Sequence, residues 1–349
     1  MLVKRMIAEA LCVLLALAAL GCGKNDTVKN TPYDGKEYIK MSELTEAGLD
    51  MDKAGNEKEL LMSLDLSLSV PTYITKVGDT WFIVDCYHNK VIYSDELTRP
   101  IQAWNIMCDE VIQPHTLASD GTVFLVDDTE NNRVLVYEKW EDKYLNTQVF
   151  EDIGNRPHFS VYDEDTQTFY VWSSESGEMY LFRRTEDSTR LYLTDVRKVE
   201  ELSDTYVRSF TIIDGDIYFV SGLSGSGQSP RMLVCDLNTF KVKKSYPVPD
   251  QIAGMVQMTR IEDMFYITIS TDITGNQDYA TLIRAKSLED ISEGEYEDIY
   301  SEYFIGGGTP YNISKVGDTY FLTEHRLIDH QIWSFNVDNG RIVNVQTVF

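Results

Sequence analysis

The most regular pattern along the chain is a short apolar run that contains an aromatic residue, follows a polar turn and recurs six times. Such short runs, bounded by turn residues, are typical of buried β-strands rather than of helices. One unit of this kind cannot bury its own apolar side chains, so the repetition predicts equivalent units that pack against one another. The six runs are Trp81–Val84, Val123–Val126, Phe169–Trp172, Tyr218–Val220, Phe265–Ile267 and Tyr320–Leu322.

An opening strand precedes each run, and four of these strands carry proline at their second residue. Proline lacks the N–H group that a central ladder needs, so it belongs at the start of a strand. In the first and last repeats, Gly-Asp at residues 78–79 and 317–318 separates the two strands, which indicates a hairpin. Each repeat is therefore predicted to begin with a β-hairpin. The four strands with proline are Val70–Ile74, Gln113–Leu117, Arg156–Ser160 and Thr309–Ile313.

A third strand follows each hairpin, and a fourth follows in most repeats. Four strands within about 40 to 55 residues are typical of a propeller blade. The third strands are predicted at Lys90–Tyr93, Arg133–Tyr137, Glu178–Phe182, Arg231–Cys235, Ala280–Arg284 and Gln331–Phe335. The fourth strands are predicted at Ile101–Ile106, Asn146–Phe150, Lys243–Val248, Glu297–Tyr303 and Ile342–Phe349.

The repeats together predict an all-β fold, a six-bladed β-propeller with four-stranded antiparallel blades over residues 70–349. A short helix is expected only within residues 41–62. Separate β-sandwiches are the alternative architecture, although sandwiches do not repeat their sequence unit by unit. In the propeller, the aromatic residues of the second strands should be buried between blades. These residues are Phe82, Phe124, Tyr170, Phe219, Tyr266 and Phe321.

The second repeat resembles the NHL-type propeller repeat. Residues 120–137 read as a strand, an aspartate, a short turn with asparagine, Arg133 and a further strand, and residues 85–92 are a weaker copy with Lys90 in place of arginine. The other four repeats share the strand pattern and lack this turn. NHL-like propellers include hydrolases, lyases and binding scaffolds, so the resemblance implies the fold and leaves the activity open.

The N-terminus carries a predicted export signal. Two basic residues precede the apolar stretch Ala10–Leu20, which is shorter than the roughly 20 residues of a membrane span and suits a signal peptide. It ends in Gly-Cys, which resembles the bacterial lipobox, where the cysteine is lipidated and becomes the mature N-terminus. We therefore expect a lipoprotein signal peptide at residues 1–21, lipid on Cys22, a polar tether at 22–40 and a segment at 41–69 that packs on the propeller.

These features predict a lipid-anchored protein on the extracytoplasmic face of the cell membrane, with the lipid on Cys22 as its contact with the membrane. An ordinary secretory signal that is cut nearby is the alternative.

The balance of charges restricts the ligands. The chain has 56 acidic and 31 basic residues and a formal net charge of −25 at pH 7. Nucleic acids and anionic lipid surfaces are bound through basic surfaces, so charge argues against both as partners. Calcium, cationic ligands and neutral ligands stay open, whether small molecule, glycan or protein. An acidic surface also serves simply to keep an exported protein soluble.

Three cysteines remain if Cys12 is removed with the signal and Cys22 is lipidated. An odd number excludes complete pairing within one chain. In the predicted first blade, Cys86 and Cys108 are two strand spacings apart, roughly 9–10 Å, whereas a disulfide needs Cα atoms within about 7 Å. We therefore favour buried thiols at these two positions and at Cys235 over a disulfide.

The blade geometry also predicts where a ligand would bind. The start of the first strand and the turn between the second and third strands lie on the same face of a blade, so residues from all blades meet at one mouth of the central channel. All five histidines of the chain fall at such positions. The predicted ligand-binding residues are Tyr73, His115, His158, Arg208 and Tyr311 from strand starts, with Asp85 and His325 from the turns.

His115 and His158 occupy the same position in neighbouring repeats. The pair could ligate one metal ion or act as an acid and a base, or each ring could be hydrogen-bonded to backbone near the channel, which we favour. We expect alanine at both positions to weaken ligand binding and to leave thermal stability nearly unchanged.

Other polar motifs do not specify a metal or a reaction. Asp128, Asn131 and Arg133 lack the spacing of a calcium loop, which favours an Asp–Arg pair that holds the turn. His325 and His330 are five residues apart, unlike the histidines of a metalloprotease helix. The sequence has no nucleophile elbow, phosphate-binding glycine loop or Cys-x-x-Cys pair. The catalytic residues, if there are any, and the cofactor are therefore unassigned, and a divalent metal has no motif.

The sequence favours a membrane-anchored binding module over an enzyme. A hydrolase or lyase similar to NHL-like propellers, with a metal-based or histidine-based site at the same mouth, is the alternative. A scaffold in a cell-envelope complex is the third hypothesis.

Overall fold

The computed structural model of the protein describes residues 67–225, 227–327 and 329–349. In these residues, 24 strands form six sheets of four strands. Each sheet is one antiparallel blade built from four consecutive strands. The predicted all-β, six-bladed propeller is thus confirmed.

The first three blades contain strands β1 to β12. Blade 1 consists of β1 (Pro71–Val77), β2 (Thr80–Asp85), β3 (Lys90–Ser94) and β4 (Asn105–Cys108). Blade 2 consists of β5 (Leu117–Ser119), β6 (Val123–Asp128), β7 (Arg133–Trp140) and β8 (Lys143–Phe150). Blade 3 consists of β9 (Pro157–Asp163), β10 (Thr168–Ser173), β11 (Glu178–Arg183) and β12 (Tyr192–Lys198).

The last three blades contain strands β13 to β24. Blade 4 consists of β13 (Tyr206–Ile213), β14 (Asp216–Gly222), β15 (Arg231–Asp236) and β16 (Val242–Pro247). Blade 5 consists of β17 (Met255–Ile261), β18 (Met264–Ile269), β19 (Thr281–Ala285) and β20 (Glu297–Asp298). Blade 6 consists of β21 (Thr309–Val316), β22 (Thr319–His325), β23 (Ile332–Asp338) and β24 (Arg341–Thr347).

Helical structure in the described part of the chain is short. Two α-helices belong to blade 5, namely α1 (Leu288–Glu293) and α2 (Tyr300–Tyr303). The 3₁₀ turns are Cys86–His88, Ile101–Ala103, Thr129–Asn131, Glu200–Leu202, Asp250–Ile252 and Gln277–Tyr279. None of the described helices has the length and apolar character needed to cross a membrane.

The opening strand of blade 2 is shorter than the predicted Gln113–Leu117, because β5 begins only at the last of those residues. The carboxylate of Asp127 accepts the backbone N–H groups of His115 (2.6 Å) and Thr116 (2.9 Å). Since a side chain takes these donors, residues 113–116 form no ladder with β6.

The outer strands depart most from the prediction. In blade 1 the predicted Ile101–Ile106 begins as a 3₁₀ turn, and the strand starts only at Asn105. In blade 5 the predicted Glu297–Tyr303 is a strand for two residues and then helix α2, because Tyr300 turns into the core between blades 5 and 6. The sequence assigned no outer strand to blade 3, where the side chains of β12 are almost all exposed and show no apolar alternation.

The core lies between the blades and is built from the second strands. The rings of Phe82 and Phe124 join blades 1 and 2 at 5.3 Å between centroids, and those of Trp172 and Phe219 join blades 3 and 4 at 4.6 Å. All six aromatic residues predicted to be buried are buried, which confirms the register of the repeat: Phe82, Phe124, Tyr170, Phe219, Tyr266 and Phe321.

The ring closes between blades 6 and 1 by side-chain contacts. The rings of Trp81 and Phe321 are 5.4 Å apart, and the Ser314 hydroxyl donates to a backbone carbonyl of β1 at 2.5 Å. Gln331 holds both ends of the described chain: its side chain donates to the Ser69 carbonyl (2.9 Å) and its backbone N–H to the Phe349 carbonyl (2.7 Å).

Two further groups of predictions concern the cysteines and the N-terminus. Cys86, Cys108 and Cys235 are buried free thiols, as expected. The predicted signal peptide, the lipidated Cys22, the tether and all of the 41–69 segment except its last three residues lie outside the described residues.

Candidate functional site at the channel mouth

A recurring β-bulge shapes one end of the central channel. In five blades, the inner strand shifts register at the residue after its first or second ladder position, and that residue has no partner on the second strand. A bulge of this kind re-aims a side chain. In blade 2, the segment before β5 takes the same position. The channel mouth is defined here by these six residues, which line one cavity: Thr72, His115, His158, Arg208, Val256 and Tyr311.

Two histidines are stacked in the channel mouth. The rings of His115 and His158 lie 3.7 Å apart at 25°, and the ring of Tyr311 lies 6.2 Å from that of His115 at 24°. The two histidines are only 7% and 1% exposed. Alanine at both positions would remove two packed rings, so we expect a loss of stability in place of the nearly unchanged stability predicted from the sequence.

The hydrogen bonds of His158 fix its tautomer. Its Nδ1 lies 2.9 Å from the carbonyl oxygen of Arg208, which can only accept, so Nδ1 carries the proton. Its Nε2 is then an acceptor and faces the hydroxyl groups of Tyr206 and Tyr311, each at 3.5 Å. Burial, followed by the nearby His115, Arg208 and Arg156, lowers the pKa of His158 well below its usual value. The ring is therefore uncharged at neutral pH.

His115 faces a thiol. The Thr129 hydroxyl donates to the Pro157 carbonyl at 2.7 Å, so it accepts from Nδ1 of His115 at 2.9 Å. This leaves the Nε2 lone pair directed at the Cys86 sulfur, 3.7 Å away. Burial lowers the pKa of His115 to about 3 and raises that of Cys86 well above its usual value. Both groups are uncharged at rest.

Arg208 supplies a positive charge to the channel mouth. Its guanidinium carbon lies 4.7 Å from the centre of the Tyr206 ring, and its Nη1 donates to the Met255 carbonyl over a long 3.4 Å. Gly222 leaves the room for this side chain, since a Cβ there would lie 3.2 Å from Nη1. Within the described residues Arg208 forms no ion pair, whereas Arg156 pairs with two glutamates.

The other three predicted residues, His325, Tyr73 and Asp85, differ in how they relate to the channel mouth. The ring of His325 lies 6.1 Å from that of Tyr311, and burial lowers the pKa of His325 to about 3. Tyr73 does not line the cavity, and its ring lies 6.5 Å from that of Phe159, which does. Asp85 is buried and holds the chain before β1, because its carboxylate accepts two backbone N–H groups there and contacts His88 at 2.6 Å.

The structure thus brings together five of the predicted residues, His115, His158, Arg208, Tyr311 and His325. Asp85 instead holds the chain before β1. The remaining histidine, His330, stacks on Trp333 in blade 6, at 5.2 Å between ring centroids. The predicted Asp–Arg pair of the second repeat is present: Arg133 Nε lies 2.6 Å from Asp128, and Asn131 donates to the same carboxylate.

Sequence reasoning missed Tyr206 and Cys86. Tyr206 stands two residues before Arg208, and that spacing often places side chains on one face of a strand, so this signal was present. Cys86 follows the last residue of β2, and its contact with His115 spans two blades. No local pattern predicts such a contact.

The space at the channel mouth is small. The cavity has about 10 Å³ of space for the centre of a water-sized sphere, which is room for about one water molecule. It would take one terminal group of a ligand at its opening, while the rest stays outside. No three His, Cys, Asp or Glu side chains of the described chain are grouped so that they could hold a metal ion.

A larger cleft, with about 80 Å³ of space for the centre of such a sphere, lies on blade 5. It is lined by side chains of that blade and of the 3₁₀ turn that leads into it, several of them well exposed: Gln251, Ile252, Asp278, Tyr279, Thr281, Tyr296 and Asp298. The channel mouth remains the stronger candidate because all six blades contribute to it and because it contains buried polar rings and an unpaired guanidinium.

Neither a protein-family model nor a curated protein matches this chain. Two solved structures of proposed 6-phosphogluconolactonases are similar, each with a TM-score of 0.54, 12% identity and 78% of this chain covered. They come from Bacteroides uniformis, with 83% of that chain covered, and from Bacteroides fragilis, with 82%. Hydrazine synthase from Kuenenia stuttgartiensis has a TM-score of 0.50 and 14% identity, with 77% of each chain covered. At such identities the likeness shows the fold alone, and these differing activities show why a propeller does not specify a function.

Proposed function

We propose that this protein is a membrane-anchored extracytoplasmic lipoprotein whose β-propeller binds a ligand or partner at the channel mouth. The observation that carries the proposal is the convergence of one residue from each blade, five from inner strands and His115 from the segment before β5, on a single small cavity. Concave sites with a few convergent polar groups are the usual binding sites of proteins.

The state of the side chains supports binding rather than acid–base catalysis. The three histidines are uncharged at neutral pH, with pKa values lowered by burial, whereas an efficient acid or base has a pKa near the working pH. The hydroxyl groups of Tyr206 and Tyr311, by contrast, are suited to orient a bound group.

The anchoring part of the proposal is supported by the sequence. An apolar stretch of signal-peptide length follows two basic residues and ends in Gly-Cys at Cys22. Lipid on that cysteine would hold the propeller at the membrane surface through the residues between Cys22 and the first blade.

The test is a ligand screen on the full-length protein in detergent, with glycans, peptides and small molecules, followed by thermal unfolding. A ligand at 100 times its dissociation constant adds about 2.7 kcal/mol to the free energy of unfolding. Tyr311→Phe should weaken such a ligand by about three- to tenfold, the effect of one hydrogen bond.

Tyr279→Phe is the matched control, because it removes a hydroxyl group from the cleft on blade 5 instead. Ligands that respond to Tyr279→Phe and ignore Tyr311→Phe would refute the channel mouth as the binding site.

A hydrolase is the second candidate, and one arrangement favours it. The Cys86 thiol faces Nε2 of His115, and Thr129 holds the other ring nitrogen, which is the order of nucleophile, base and orienting group. A hydrolase of this kind would lose ester or lactone hydrolysis on Cys86→Ala and keep ligand binding. Unchanged hydrolysis in that variant would exclude this thiol as the nucleophile.

A further inference from the structure

The guanidinium of Arg208 is a positive charge without a negative partner in the described part of the chain. This is unusual in a protein with a net charge of −25, where Arg133, Arg156 and Arg284 each pair with a carboxylate. Of the five N–H donors of a guanidinium, the only protein acceptor found for Arg208 in this part of the chain is the Met255 carbonyl, at 3.4 Å. The remaining donors are available to a ligand.

Three acidic residues that act on the Cys86 thiol beside His115 are already engaged. Asp127 is buried and accepts from two backbone N–H groups and the Thr116 hydroxyl. Asp85 is buried and accepts from the backbone before β1. Glu130 pairs with Arg156. An anion that enters the channel mouth would therefore meet a guanidinium without a negative partner and the hydroxyl group of at least one tyrosine, since the single lone pair of His158 Nε2 can accept from only one of the two.

We propose that the channel mouth binds a carboxylate group of a small ligand, with Arg208 as its counter-charge. This inference rests on the proposed binding function. A guanidinium matches the two oxygens of a carboxylate with two parallel N–H bonds, and whichever of Tyr206 and Tyr311 does not donate to His158 can donate to the carboxylate. Because the cavity is small, the carboxylate would sit at its opening and the rest of the ligand would stay outside.

The charge of the site selects a carboxylate over a phosphate. One unpaired guanidinium neutralises one negative charge, whereas a phosphate group carries between one and two at neutral pH. The second charge would remain uncompensated in a strongly acidic protein. The overall negative charge of the chain therefore does not prevent anion binding, but it restricts the site to monoanions.

The experiment compares charged and neutral probes of the same shape on the full-length protein by calorimetry at pH 7. The probes are acetate, benzoate and glucuronate, their neutral counterparts acetamide, benzamide and glucose, and inorganic phosphate. We expect at least one carboxylate to bind at least tenfold more tightly than its neutral counterpart and than phosphate.

Arg208→Met should lower that carboxylate affinity at least tenfold, and Arg208→Lys, which keeps the charge and loses the fork, should lower it less. Arg260→Met is the matched control, because this exposed arginine pairs with Asp214, and it should leave the affinity unchanged. Circular dichroism melting checks that each variant folds. If Arg208→Met does not fold, the proposal is decided by the affinity of Arg208→Lys and by the comparison of probes on the unsubstituted protein.

The proposal is overturned if no carboxylate binds, if the neutral counterparts bind as tightly, if phosphate binds more tightly, or if Arg208→Met keeps the affinity. Binding of a neutral ligand that depends on Tyr311 would overturn the proposal of a carboxylate ligand and leave the proposed binding function intact. The two failures are therefore distinguishable.

Discussion

Glu324 is a buried carboxyl group with two neutral hydrogen-bond donors, the indole N–H of Trp333 at 2.8 Å and the hydroxyl group of Tyr300. Gly308 packs against this group, where a Cβ would lie 2.9 Å from the carboxyl oxygen. Burial raises the pKa of Glu324 to about 8 from an ordinary value of 4.5. The folded protein therefore keeps this proton at pH values where the unfolded chain has released it.

Glu324→Gln should remove a pH dependence of stability. The stabilising contribution of this carboxyl group is complete below pH 4.5 and is lost as the pH rises to about 8, by at most about 1.4 kcal/mol per pH unit. We therefore compare the free energy of unfolding of the unsubstituted protein with that of the variant. The difference, unsubstituted minus variant, should fall from pH 5 to pH 8 and then level off. Urea denaturation at each pH measures it.

Glu164→Gln, at an exposed turn of blade 3, is the control and should give a constant difference at every pH. A constant difference for Glu324→Gln as well would show that its carboxyl group is ionised in the folded state.

The buried histidines act in the opposite direction. His115 and His325 have pKa values lowered to about 3 from 6.5, and that of His158 is also lowered. Their contribution to stability is complete above pH 6.5 and is lost as the pH falls towards 3. Asp127, with a pKa raised to about 7, behaves like Glu324. These five groups together favour a maximum of stability near pH 6.5.

Strands facing the core were predictable, and those on the outside were not. Proline at the strand start and Gly-Asp at the turn mark the inner hairpins of blades 1 and 6, and buried aromatic residues mark the second strands. The outer strand β12 has exposed side chains throughout most of its length, so it lacks the alternation that indicates a strand.

The candidate site was predictable in part for a similar reason. His115 and His158 stand at equivalent positions of neighbouring repeats, so the period alone brings them together. The bulges that aim these side chains into the channel leave no mark in the sequence, and neither does the contact between Cys86 and His115. Such contacts depend on how the blades are arranged around the axis.

Phe124→Ala tests the packing between blades 1 and 2. The Phe124 ring lies 5.3 Å from that of Phe82 and 4.9 Å from that of Tyr144, in a buried position. Its removal should lower the free energy of unfolding by about 3–5 kcal/mol, measured by urea denaturation. Trp140→Ala, at a side chain that is 67% exposed, should change it by less than about 0.5 kcal/mol. Equal effects of the two variants would contradict the packing described here.

At the scale of the whole molecule, the proposed lipid anchor on Cys22 would determine where the propeller is found. Cys22→Ala should abolish lipid attachment, because no thiol remains at the lipobox, and should leave unprocessed precursor or released protein. Incorporation of labelled fatty acid and partition into detergent measure this. Cys12→Ala, within the predicted signal peptide, should retain the lipid. Unchanged partition of the Cys22→Ala protein would refute the anchor.

The closure of the ring has an evolutionary consequence. Every blade is made of contiguous chain, and Ser69 and Phe349 meet at the same glutamine, Gln331. A circular permutant cut between β16 and β17, and rejoined between residues 349 and 69, would still contain six complete blades. In other rings, the last blade contains a strand from the opposite end of the chain. Cutting such a ring at a new position would separate that strand from its blade in the sequence. Gene duplication or loss could therefore add or remove whole blades of this propeller without dividing a sheet.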